Sequence, residues 1–155
     1  MSLQRNYLGT GLNASGVSAF QCVDGLIPQS WAGGPPMFTL TGNSNLTLST
    51  GQSGSVIVVS PNANITVTLP AQPAAECNFR FLTGSNANTT NIVSPNTGVV
   101  YGPLLANAAV IACAANTAIK INTASLLGDS LEFLSDGTRW NVRGLASGPA
   151  AWTVS

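Results

Sequence analysis

The segment from residue 128 to residue 144 constrains the fold more than any other, because it has the pattern of a β-hairpin. Two runs of alternating apolar and polar residues flank the pair Asp136-Gly137. Asp-Gly favours a type I′ turn, which needs positive φ at both central residues. In the register set by this turn, Phe133 lies opposite Trp140. One face of the predicted hairpin is therefore apolar, with an aromatic pair at its centre.

The opposite face of this predicted hairpin is polar and carries charge. With Ser135 facing Thr138, Glu132 lies diagonal to both Arg139 and Arg143, within reach of an ion pair. The sequence therefore predicts a half-buried antiparallel strand pair. We expect the rest of the chain to cover its aromatic face.

From residue 38 onward, short strand-like segments alternate with turn residues, which is typical of an all-β sandwich or barrel. Residues 106–115 fit a helix or a strand, and the β-branched Val110 and Ile111 favour a strand. Eight further segments are predicted as strands: 46–49, 55–60, 65–69, 78–82, 91–94, 117–123, 129–135 and 138–144. We therefore predict an antiparallel, jelly-roll-like β-sandwich of about eight strands for residues 38–147.

The two ends of the chain lack this alternation. Residues 1–37 contain many large apolar residues without a helical or strand period, as expected for an extended N-terminal arm. The arm either lies on another protein surface or wraps its own domain. Residues 148–155 are predicted to be a short C-terminal tail that either anchors on a partner or packs against its own domain. The candidate interface residues of these segments are Tyr7, Phe20, Trp31, Phe38 and Trp152.

Charge is scarce in this sequence. Only 6% of the 155 residues are charged, against about 25% in a typical soluble domain, and five basic residues balance five acidic ones. Such a chain offers little to attract phosphate backbones or anionic lipids, so neither nucleic-acid binding nor membrane binding is expected. Two interpretations remain open. Either much of the surface is covered in an assembly, or the protein is a neutral β protein rich in hydroxyl and amide groups.

The residues needed for catalysis or metal binding are missing or scattered. The chain has no histidine, and its three cysteines are far apart and match no zinc or disulfide pattern. The predicted hairpin separates the acidic residues Asp129, Glu132 and Asp136, so they do not form the carboxylate pair of a glycosidase. We therefore expect no enzyme activity, no cofactor and no metal.

Several short motifs have a simple explanation. The G-x-G-x-x-A match at residues 9–14 lacks a preceding strand and a following helix, so we treat it as chance. Four N-x-S/T triplets begin at Asn13, Asn45, Asn64 and Asn88, as expected from the abundance of Asn, Ser and Thr. The first residues lack the apolar segment of a secretion signal, and the longest apolar stretch is too short to span a bilayer. We therefore expect a soluble protein.

Four segments together resemble the head decoration (cement) proteins of tailed bacteriophages. They are Ser-Gly-x-Val-Ile-Val at 53–58, Ile-Thr-Val-Thr-Leu-Pro at 65–70, Phe-Arg-Phe-Leu at 79–82 and Gly-Asp-Ser-Leu-Glu-Phe-Leu-Ser-Asp-Gly-Thr-x-Trp-x-Val at 128–142. Similar β-domains occur in phage tail-fibre and receptor-binding proteins. The resemblance covers about residues 41–147 and leaves both ends of the chain outside it.

This resemblance implies a function and partners. It implies a β-sandwich, often a homotrimer but with a dimer possible, that binds neighbouring major capsid protein subunits on the outer surface of the virion. The protein would be made in the host cytoplasm. One alternative is a tail-fibre or receptor-binding head domain that recognises the host surface. A second alternative is a subunit of the capsid shell itself.

Overall fold

A computed structural model describes residues 37–71, 77–84 and 88–155. The chain divides into two compact units, Met1–Phe38 and Thr39–Ser155, and nearly all described residues belong to the second. The predicted arm, with Tyr7, Phe20 and Trp31, lies outside the described residues apart from Met37. Its arrangement stays a prediction.

The described residues form strands joined by turns and one short 3-10 helix, Thr50–Gln52. In chain order the strands are β1 (Met37–Leu40), β2 (Leu46–Thr47), β3 (Ser55–Val59), β4 (Ile65–Thr68), β5 (Asn78–Thr83), β6 (Thr90–Val93), β7 (Val100–Ala106), β8 (Ala109–Asn116), β9 (Ala118–Ile121), β10 (Ser130–Ser135), β11 (Trp140–Ala146) and β12 (Trp152–Val154).

Two mixed sheets pack together, which confirms the all-β sandwich. The seven-stranded sheet has the order β1-β3-β5-β10-β11-β7-β8, and the five-stranded sheet has the order β12-β9-β6-β4-β2. Each of the eight segments predicted as strands overlaps one, and β8 confirms the preference for a strand at 106–115. The sheets differ from the predicted antiparallel jelly roll, because the pairs β2–β4, β4–β6, β3–β5 and β7–β11 are parallel.

The parallel pairs arise mainly because the first six strands alternate between the two sheets. After each of these strands the chain crosses to the other sheet, so β4, β5 and β6 return parallel to β2, β3 and β4, respectively. Ser55 of β3 thus pairs with Phe79 of β5, and Ile65 of β4 pairs with Thr90 of β6. We call strands β1–β6 the crossover half and strands β7–β12 the hairpin half.

Asparagine side chains join successive passes of the crossover half, where a pass is one strand of the five-stranded sheet together with the residues that lead into it. The Oδ1 atom of Asn45 accepts a hydrogen bond from the Thr66 N–H at 2.8 Å. The Oδ1 atom of Asn64 accepts one from the Thr89 N–H at 3.0 Å, one pass further on. Each asparagine directly precedes a strand of the five-stranded sheet. Both belong to N-x-S/T triplets, so these triplets have a structural role that composition alone did not predict.

The β10–β11 hairpin forms, but the predicted register is wrong by two residues. Phe133 pairs with Val142, and Trp140 pairs with Ser135. Because the error is two residues, the side chains keep their predicted faces. Phe133 and Trp140 are both buried and lie edge to face, with their ring centroids 6.3 Å apart. The aromatic face of the hairpin is therefore part of the core.

The register differs because the loop has four residues, Asp136 to Arg139, instead of a two-residue turn. Gly137 has a positive φ of 92°, but Asp136 does not. The Oδ1 atom of Asp136 instead accepts hydrogen bonds from the N–H groups of Thr138 and Arg139, at 2.8 and 2.7 Å. Aspartate favours such local bonds, which stabilise a wider loop.

The predicted C-terminal tail is part of the sandwich. Trp152 lies in β12 opposite Ile121 of β9, and only 4% of its surface is exposed. Its ring reaches across the core to Gly144 of β11, where an added Cβ would lie 2.7 Å from the Trp152 ring. Trp152 thus packs within its own domain, the second of the two roles predicted for the tail, and its burial leaves it almost no surface for a partner.

Candidate interaction surface

The three acidic residues that the structure describes, Asp129, Glu132 and Asp136, have structural roles. Among the described residues, no group of His, Cys, Asp and Glu side chains has the arrangement of a metal site. Glu132 forms an ion pair with Arg143 at 3.2 Å, whereas Arg139 lies over the ring of Tyr101, 5.2 Å from its centroid. Of the two arginines predicted to lie near Glu132, only Arg143 pairs with it, and Arg139 contacts Tyr101 instead.

Asp129 holds one end of the seven-stranded sheet together. Its carboxylate is buried and accepts hydrogen bonds from the Leu126 N–H at 2.8 Å and from the Ser147 N–H at 2.9 Å. The hydroxyl group of Ser125 donates to it as well, at 3.2 Å. These bonds fasten the loop before β10 to the residue after β11. The same hydrogen bonds determine the position of Leu126 and Leu127, the exposed leucines of this loop.

Exposed apolar side chains cluster at this same end of the sheet. Leu105 of β7 is flanked by Leu145 of β11 and Val110 of β8, so the three form a row across neighbouring strands. Leu145 is 61% exposed and Val110 is 69% exposed. The loop before β10 adds two more exposed side chains. We call this surface the apolar end and define it as Leu105, Val110, Leu126, Leu127 and Leu145.

The opposite end of the sheet is polar. A cleft of about 370 Å³ lies beside the β10–β11 loop and is lined by Ser94, Asn96, Val99, Gly137, Thr138, Arg139 and Trp140. The pKa of Asp136, at the rim of this end, is lowered below its ordinary value by the hydrogen bonds from the N–H groups of Thr138 and Arg139. The two ends of one sheet thus present different chemistry.

The cysteines that the structure describes are buried. Cys77 and Cys113 both face the interior as free thiols. Burial raises the pKa of Cys113 to about 11, so the thiol stays protonated at neutral pH. This confirms the interpretation of Cys113 as a small buried apolar residue.

None of the described residues that form the apolar end is one that the sequence singled out for binding. Tyr7, Phe20 and Trp31 lie outside the described residues, and Phe38 is in β1, with its side chain outside the description. The sequence did not predict Leu105, Leu126, Leu127 and Leu145 as interface residues, because aromatic residues are the usual anchors of interfaces. A usable signal was the pair Leu104-Leu105, since adjacent residues of a strand point to opposite faces and one of the two must leave the core.

No protein-family model matches this chain, and no curated protein matches its sequence. None of the helices in the described part of the chain has the length and apolar character needed to cross a bilayer.

Proposed function

We propose that this protein is a structural protein of a phage virion that decorates the outside of the head and stabilises the major capsid protein lattice. The resemblance of residues 53–58 and 128–142 to cement proteins suggests this class. The apolar end carries the proposal, because it holds five of the seven large apolar side chains that are exposed in the described residues. Clustered exposed apolar groups mark interaction sites.

The energetics of the apolar end suit docking onto a large protein surface. Removing apolar area from water stabilises a complex by about 25 cal/mol per Å², and a standard interface covers about 800 Å² on each partner. The five side chains of the apolar end are uncharged, and the exposed Arg143 beside them is already paired with Glu132, so little unpaired charge has to be desolvated on binding. Binding through this surface should therefore depend only weakly on salt.

A second candidate function is recognition of the host surface by a tail-fibre head domain. The polar cleft favours it, because Arg139, which lies over the ring of Tyr101, lines the cleft together with the hydroxyl and amide groups of Ser94, Asn96 and Thr138. Aromatic and polar groups around a concave surface are common in ligand sites. We rank this function second because Trp140, the largest side chain of the lining, is almost fully buried.

The proposal is tested by co-sedimentation of the full chain with expanded heads of the encoding phage, prepared without this protein. We expect binding at a fixed stoichiometry and greater resistance of the heads to heat. The double variant Leu126→Ser/Leu127→Ser should bind at least about tenfold more weakly, because it removes exposed apolar contacts.

The matched control is Leu134→Ser. Leu134 is 41% exposed, as Leu105 is at 40%, but it lies toward the polar end of the sheet. This control should bind as the unchanged protein does. Equal binding by all three proteins would refute the role of the apolar end. A protein that ignores heads but binds host cells would support the second candidate, and closed particles formed by the protein alone would indicate a shell subunit.

A further inference from the structure

The outer edge of β8 differs from the other free edges of the sandwich. At eight residues, β8 is the longest strand described, yet it forms the last strand of its sheet. The edges of the five-stranded sheet, β2 and β12, have two and three residues. Proteins usually protect sheet edges by shortness, charge or proline. Between Val100 and Asn116 there is no charged residue, and within β8 there is no proline.

The backbone groups of β8 that point away from β7 can be identified. A two-residue turn, Asn107-Ala108, joins the strands with φ values of 46° and 66°, so the flanking pair Ala106–Ala109 closes the hairpin. Hydrogen-bonded and non-hydrogen-bonded pairs alternate from there. The N–H and C=O groups of Val110 and Ala112 therefore point outward.

Two neighbouring features agree with this alternation. Pro103, which has no N–H, lies opposite Ala112, where no bond to β7 is needed. The next outward N–H, that of Ala114, donates to Oδ1 of Asn116 at 2.9 Å. Within the described residues, the free part of the edge is thus confined to the segment around Val110 and Ala112.

We propose that β8 pairs antiparallel with β8 of a second copy of this chain, on a two-fold axis at Ile111. In this register Val110 lies opposite Ala112 of the partner subunit, and the converse holds by symmetry. All outward N–H and C=O groups of these two residues then bond across the axis. The two seven-stranded sheets become one continuous sheet.

Side-chain size and charge support a second copy as the occupant. Val110 is 69% exposed on the outer face of the sheet, and the small side chain of Ala112 of the partner subunit leaves room for it. With no charge on the strand, the two-fold axis brings no like charges together. In this register the row formed by Leu145, Leu105 and Val110 would continue into Ala112 of the partner subunit, so the equivalent row of the second copy is offset by two residues.

This inference is independent of the proposed function, since pairing requires no phage head. Sedimentation equilibrium of the full chain should show a dimer. Ala112→Pro removes an outward N–H that β7 does not use, so the variant should keep its fold and dissociate at least about tenfold more readily. Ala112→Ser keeps the N–H group and is the matched control, with unchanged dimerisation expected.

A second variant pair tests the same edge through charge. Val110→Lys places cations near the axis and should give a monomer, whereas Val110→Thr, which is also β-branched, should remain dimeric. Circular dichroism verifies the fold of each variant. A monomeric unchanged protein, or an oligomer that neither Ala112→Pro nor Val110→Lys weakens, would overturn the proposal. Slow amide exchange at Val110 and Ala112 in the unchanged protein alone would support it further.

Discussion

The crossover half and the hairpin half are built by different rules, although each contributes strands to both sheets. The crossover half supplies β1-β3-β5 to one sheet and β2-β4-β6 to the other, with parallel pairs formed by strands two positions apart in sequence. The hairpin half supplies the rest, largely through the antiparallel pairs β7–β8, β10–β11 and β9–β12. The halves join where β5 meets β10 and β6 meets β9.

This difference determines where exposed apolar groups occur. The crossover half ends in the short strands β1 and β2, and asparagine side chains link its passes. The hairpin half ends in the long strand β8 and carries the whole apolar end. Among the described residues, both halves thus contribute buried side chains to the core, whereas the cluster of exposed apolar side chains lies in the hairpin half alone. Substitutions in each half can test this division.

The largest effect is expected for Trp152→Ala, which removes the contact between the two sheets of the hairpin half. Trp152 is nearly fully buried and packs over Gly144. Loss of such a side chain costs about 3–5 kcal/mol, including the cavity left behind. Chemical denaturation should show this loss in the free energy of unfolding.

The neighbouring Thr153→Ala is the control for Trp152→Ala. The Thr153 side chain is exposed and accepts a hydrogen bond from Nδ2 of Asn122, so its loss should cost about 1 kcal/mol at most. A similar small effect of both substitutions would contradict the placement of Trp152 in the core. It would also restore an interface role for this residue.

A smaller effect is expected for Gly102→Ala, which tests the parallel contact between β7 and β11. Gly102 has a φ of +138°, and an added Cβ would collide with the carbonyl oxygen of Val142. The strained backbone and this clash together should cost about 3 kcal/mol. Equilibrium unfolding in urea measures the difference.

Gly54→Ala, in the crossover half, separates the cost of the strained backbone from the cost of the clash. Gly54 also has a positive φ, +86°, but no atom lies within 4 Å of the position of an added Cβ. Only the backbone cost of about 1–2 kcal/mol is then expected. Equal losses at Gly54 and Gly102 would mean that the close approach to Val142 does not exist.

The sequence predicted most strands of both halves, though not β1, β7 or β12, because short-range alternation carries that information. Phe79 and Phe81 face the core and Arg80 faces solvent, as alternation requires. Parallel pairing in the crossover half could not be predicted in this way. Strand direction depends on which sheet receives each strand, and no local pattern in the sequence specifies that choice.

The prediction of the hairpin register was wrong for a local reason. The apolar end was not predicted for a different reason. Asp136 was assigned a backbone role in a turn, whereas its side chain accepts two N–H groups and widens the loop. The apolar end depends on which of two adjacent leucines faces outward, and on Asp129, whose buried bonds join distant segments. Such long-range contacts leave no periodic signal in the sequence.

The smallest effect is expected for Asn64→Ala in the crossover half. Oδ1 of Asn64 accepts hydrogen bonds from both N–H and Oγ1 of Thr89, at 3.0 and 3.1 Å, on an exposed part of the surface. Their loss should cost about 1 kcal/mol and speed amide exchange at Thr89. Asn62→Ala, at an exposed position two residues earlier, should change neither quantity. If the Thr89 amide exchanged equally fast in both variants, asparagine links would not hold the passes together, and the crossover half would depend on strand pairing alone.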